Sequence, residues 1–179
     1  MKKKIPIWQM GGFIFTGNAG TFLHFLFNLT GENVAVALFS AVNESIWEHL
    51  KLLFYPMVAV AIVQYFFWGE NIPSFWCVKL KGILTGLALI PLIYYAYTGI
   101  LGVKADWFNI TIFFFVAAVV FYLETRWFQK ENSCKIPKGI AVFLICLIGI
   151  IFTVFTFIPP QIPLFQDPIT DTYGFWKRI

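Results

Sequence analysis

Asn43-Glu44-Ser45-Ile46-Trp47-Glu48-His49-Leu50-Lys51-Leu52-Leu53-Phe54-Tyr55-Pro56 is the stretch on which the reading of this chain turns. It gathers two carboxylates, a histidine and a lysine, and an apolar run follows. Wound at 100° per residue, it brings Ser40, Glu44, Glu48, Lys51 and Tyr55 within roughly 80° of one another. Glu44 and Glu48 are then neighbours one turn apart, and Glu48 reaches Lys51 at the i, i+3 spacing. Ser45 and His49 pair on a flank otherwise made of Val42, Ile46 and Leu53. The pattern predicts an amphipathic helix over residues 34–50, too short and too charged to cross a bilayer, leading into a span over 52–68.

The surrounding composition names the solvent. Of 179 residues, 59% are hydrophobic, 20% aromatic (22 are Phe) and 12% charged. A soluble domain carries about 25% charged residues, so much of this apolar surface must face lipid. Mean hydropathy is +0.76. The net charge of +4 comes from basic residues beside hydrophobic spans, which is a membrane-orientation pattern and excludes a nucleic-acid surface. Cys77, Cys134 and Cys146 form no CxxC pair. With the first two in inner loops and the third inside a span, no structural disulfide is expected.

Working outward, residues 7–29 read as an uncleaved first span with Gly17, Gly20, Thr21, His24 and Asn28 on one stripe. Small and polar residues on one face mark the side packed on other helices, so His24 points inward. An unbroken helix over 34–68 would run about 50 Å, against roughly 30 Å of hydrocarbon, which makes Pro56 the expected kink. Further spans are expected over 82–102, 107–122 and 139–158, with a tail over 161–179. The third contains Gly82-xxx-Gly86, a packing signal, and the cluster Tyr94, Tyr95, Tyr97. With the N-terminus inside, nine basic residues lie at inner segments and four at outer ones. The expected fold is all-α, a single-domain integral membrane bundle of five transmembrane helices plus one outer amphipathic helix, N-terminus inside and C-terminus outside.

That topology collects chemistry at the outer end. His24, Asn28, Asn43, Glu44, Glu48, His49, Lys51 and Asp167 are the candidate ligand-binding residues, because ionisable groups near a membrane core are costly unless paired or used. A solvated Glu/Lys face, a core histidine and a turn aspartate at Asp167 are the plainer readings of the same residues. For a divalent metal, the candidates are His24, Glu44, Glu48 and His49. One helix does not supply them all, since His49 sits about 100° from Glu48 and the string is not H-E-x-x-H. No G-x-S-x-G or phosphate-cradling loop is present.

The string His24, Asn28, Gly31 and Asn43-Glu44-Ser45-Ile46-Trp47-Glu48-His49-Leu50-Lys51, with the tail Pro159-Pro160-Gln161-Ile162-Pro163-Leu164-Phe165-Gln166-Asp167-Pro168 and Tyr173-Gly174, resembles the DUF6512 family. These are small multi-pass membrane proteins, largely of Gram-positive bacteria. The resemblance covers most of the chain and implies a bacterial cytoplasmic-membrane protein, without implying an activity. The expected function is an outward-facing Glu/His pocket for a small polar ligand or lipid headgroup, the bilayer being the partner and homo-oligomerisation open. The alternatives are a metal-assisted membrane hydrolase or lipid-modifying enzyme using the same residues, and a small transporter or transporter subunit.

Overall fold

Long apolar runs punctuated by Gly, Pro and Asn leave the backbone one way to satisfy its own hydrogen bonds. The computed structural model, which describes residues 4–102, 106–130 and 134–175, is accordingly an all-α bundle. Six α-helices occur among the described residues: α1 (Ile5–Leu29), α2 (Val34–Ala37), α3 (Ile46–Phe67), α4 (Phe75–Leu101), α5 (Asp106–Gln129) and α6 (Lys138–Phe157). α3, α4, α5 and α6 are long and apolar enough to cross a membrane. α1, at 25 residues, is long enough but lacks the continuous apolar stretch that the other four have. Its inward stripe explains why: Gln9, Gly12, Thr16, Gly17 and Gly20 are buried, while Ile7, Met10, Ile14, Phe15, Phe22 and Phe25 are exposed. Gly17 and Gly20 of the expected inward stripe are therefore buried and His24 is half-buried, whereas Thr21 and Asn28 are exposed.

α1 packs against α3 and α5, and α4 against α5, α3 and α6. The main core runs along these contacts through Leu53, Met57, Val60, Ile83, Val116, Val120 and Phe152. Glycines set the close approaches. A Cβ at Gly82 would meet Glu124, and one at Gly86 would meet Leu53, so both positions of the Gly82-xxx-Gly86 signal are used. Pro56 sits inside α3 without ending it. Having no N–H, it leaves the Leu52 carbonyl unclaimed within the helix, and Gly20 of α1 lies so close that a Cβ there would stand 2.7 Å from that oxygen.

The expected amphipathic helix over 34–50 is not formed as one piece. Helix α2 stops after Ala37, residues 38–45 turn inward, and α3 begins at Ile46. Two local hydrogen bonds decide this. Ser45 accepts from Glu48 N–H at 3.3 Å as the α3 N-cap, and Asn43 Oδ1 accepts from Ser45 N–H at 2.9 Å. The inward turn is held by buried Ser40, which accepts from Phe27 N–H at 3.1 Å and donates to the Leu23 carbonyl.

A second correction concerns the cysteines. Cys77 and Cys134 form a disulfide, with Cα atoms 5.8 Å apart. α4 starts seven residues earlier than position 82, so Cys77 is a buried helical residue, not a loop residue, and faces the segment that precedes α6. The same early start draws Lys79 into the bundle, and α5, continuing to Gln129, draws in Glu124.

A candidate ligand and metal site at one end of the bundle

The C-terminal turns of α1, the start of α3 and the ends of α4 and α6 meet at one end, where the tail crosses them. The tail is tied down by its backbone. Trp47 N–H donates to Leu164 O at 3.1 Å and Phe175 N–H to Thr156 O at 2.7 Å. Asn43 Nδ2 donates to Gly174 O at 3.1 Å. Phe165 packs on Trp47 and Phe155, and Phe175 on Phe27 and Phe157. Gly174, at φ +62, approaches the Thr156 carbonyl so closely that a Cβ would lie 2.6 Å from it.

Three of the sequence-derived candidates converge here. His24 comes from α1, His49 from the first turn of α3, and Glu44 from the residue before the Ser45 cap. Glu44 Oε2 is 3.3 Å from His49 Nε2. The His24 and His49 rings are 5.1 Å apart, and His49 Nδ1 lies 2.8 Å from Ser45 O. One donor atom from each of the three residues falls within 4.8 Å of the others. The hydrogen bond from His49 holds the Glu44 carboxyl below its ordinary range, against the opposing pull of partial burial.

Glu44 also lines a cleft of about 160 Å³, shared with Ile46, Tyr94, Tyr95, Thr98 and the tail residues Pro163, Gln166, Pro168 and Asp171. The tail is therefore a wall of the cleft. The lining offers two carboxylates, a carboxamide, hydroxyls and aromatic rings, and contains no basic side chain.

The other candidates lie apart from the histidines. Glu48 and Lys51 form a buried pair at 2.6 Å, with 1% and 0% of their side chains exposed. Lys51 Nζ also donates to Ala37 O at 2.8 Å and to Thr156 Oγ1 at 3.0 Å, which uses all three of its N–H bonds. Glu48 accepts from Val42 N–H at 3.1 Å and from the Thr156 hydroxyl at 3.0 Å. With its partners satisfied, this pair pins the inward turn to α6. Asp167 is buried and accepts from Ile169 N–H at 2.8 Å and the Thr170 hydroxyl at 2.9 Å, closing the tail's own turn. Asn28 is exposed on α1.

Sequence reasoning missed Pro163, Gln166 and Pro168 of the cleft and the Lys79–Glu124 pair at the opposite end, 2.5 Å apart with 1% and 0% exposure. Phe75, Phe121 and Phe128 surround its ammonium, with ring centroids 5.5–5.9 Å away. A span ending at Tyr122 hides it, because Glu124 then reads as a loop residue.

No curated protein and no solved structure matches the chain. The model of the Family of unknown function (DUF6512) matches residues 2–175, and on that match the chain belongs to this family.

Proposed function

We propose that this is a five-span protein of the bacterial cytoplasmic membrane that binds a small polar ligand or a lipid headgroup in the cleft beside Glu44. The observation that carries this reading is the cleft itself. It lies at the end of a lipid-facing bundle, it is walled by a tethered tail, and its lining holds Asp171 and the Glu44 that also faces His49, with no lysine or arginine. Such a lining suits a polar group rich in hydrogen-bond donors, and Tyr94 and Tyr95, which also line the cleft, supply ring faces for it. About 160 Å³ holds a headgroup and not a whole lipid.

For orientation, the basic-residue balance supports the N-terminus inside and this cleft outside. Lys51 and Lys79 are buried in ion pairs, and without them the count is still eight inner to three outer. The cysteine pair lies at the inner end, where a reducing cytoplasm favours the dithiol.

Native mass spectrometry of the protein extracted from bacterial membranes tests the cleft. The expected result is a retained headgroup-bearing lipid or polar molecule in the wild type that is lost in Asp171→Asn and Tyr95→Ala. Identical ligand profiles in wild type and variants would overturn the reading.

A further inference from the structure

The His24–Glu44–His49 cluster brings two imidazoles and a carboxylate together in an arrangement that one bound ion accounts for as a whole. A backbone carbonyl only accepts, so the 2.8 Å contact with Ser45 O puts the proton of a neutral His49 on Nδ1. Nε2 then bears a lone pair and faces the Glu44 carboxylate oxygen at 3.3 Å. Two acceptors at that distance repel unless a positive charge lies with them, as a second ring proton or as a metal ion. A second proton on His49 accounts for Glu44 and leaves His24 without a purpose. The His24 ring lies 5.1 Å from that of His49, and its Nδ1 is buried with no hydrogen-bond partner among the described residues. Beside an imidazolium, His24 gains nothing when neutral and is repelled when charged. A metal ion uses both rings and the carboxylate together.

We propose that His24, Glu44 and His49 bind a divalent first-row transition-metal ion, zinc in the first instance. Two imidazoles and one carboxylate match zinc chemistry, whereas magnesium and calcium take oxygen ligands. Donors around a tetrahedral ion at about 2.1 Å stand about 3.4 Å apart. The three donor atoms, now within 4.8 Å of one another, close to that spacing with about an ångström of side-chain movement. The Ser45 carbonyl is the outer partner that fixes the His49 tautomer and presents Nε2, the arrangement metal-binding histidines ordinarily have. Three protein ligands leave a coordination position open. Glu44 belongs to both the cluster and the cleft, so the ion is a neighbour of whatever the cleft binds.

The test uses the full-length protein in detergent, stripped with EDTA and titrated with cobalt chloride and then zinc chloride. The expected result is one cobalt per chain with visible d–d bands, displaced by zinc. In His24→Ala and His49→Ala the metal affinity falls at least about 100-fold. Asp171→Asn, a cleft carboxylate outside the cluster, keeps wild-type metal affinity even where it loses the cleft's organic ligand, so the two readings fail separately. Far-ultraviolet circular dichroism confirms that each variant is folded. In the wild type alone, zinc raises the Tm and magnesium does not, which reads the site without any variant. The absence of a saturable cobalt site in the wild type, or wild-type cobalt affinity in folded histidine variants, overturns the proposal.

Discussion

Replacing Lys79 by methionine would leave the Glu124 carboxylate buried among Phe75, Phe121 and Phe128 with its cation gone. At 2.5 Å and an effective dielectric constant of about 20, the two charges attract by about 7 kcal/mol. Burying each ion costs several kcal/mol, so the pair as a whole contributes little net stability. Removing one partner is another matter. The remaining carboxylate keeps its desolvation cost and loses its compensation, which predicts a loss of about 3–5 kcal/mol for Lys79→Met. Gly82 makes room for the carboxylate, because Glu124 Oε1 occupies the space a Cβ there would take. The double variant Lys79→Met/Glu124→Leu is expected within about 1 kcal/mol of the wild type, or above it, because two apolar side chains of similar volume refill the site. Equilibrium unfolding in mixed micelles with rising sodium dodecyl sulfate, followed by circular dichroism, measures both. A single-variant loss below about 1 kcal/mol, or a double variant as unstable as the single, would refute the reasoning.

Three further outcomes follow from the other end and the helix contacts. Gly20→Ala puts a methyl 2.7 Å from the Leu52 carbonyl and 2.6 Å from Phe113, and should cost about 1–3 kcal/mol in the same unfolding assay. Wild-type stability in Gly20→Ala would mean that α1 does not approach the Pro56 break so closely. Ser45→Ala removes the α3 cap and should cost about 1 kcal/mol, with Ser45→Thr restoring most of it. The Glu44 carboxyl is held below its ordinary value of 4.5, so its contribution is present in full above that pH and fades as pH falls through the lowered value. In metal-free buffer the Tm of wild type should exceed that of Glu44→Gln at neutral pH, and the difference should shrink as the pH is lowered below 4.5; a difference that grows on acidification would contradict the Glu44–His49 pairing.

Much of the fold was legible because lipid imposes a simple rule on sequence. Apolar runs long enough to span, with small residues on one stripe, identify the helices and their inward faces, and Gly12, Gly17, Gly20, Gly82 and Gly86 all lie at such contacts. The start of α3 was legible too, since Ser45-x-x-Glu48 has the spacing of a capping box. The helical wheel over 34–50 masks that signal, because it assumes continuous winding through a residue that ends it. Glu48 then does not complete the box: its carboxylate accepts from Val42 N–H and the Thr156 hydroxyl. That choice depends on α6 being beside α3, a contact 108 residues away in the chain.

The sequence by itself determined the all-α class and placed His24, Glu44 and His49 among a wider set of candidates, because apolar patterning acts on each segment independently. Only the tertiary structure decided how the polar residues divide among themselves. Glu44 and Glu48, four apart, separate to a histidine cluster and a closed ion pair, since the backbone between them leaves the helix at the Ser45 cap. Lys79 and Glu124, 45 residues apart, meet because adjacent helices in a dry interior must neutralise each other's charge. Pairing is a property of the packed bundle, where a charge takes the nearest partner in space, and spacing along the chain reports that distance only within one helix.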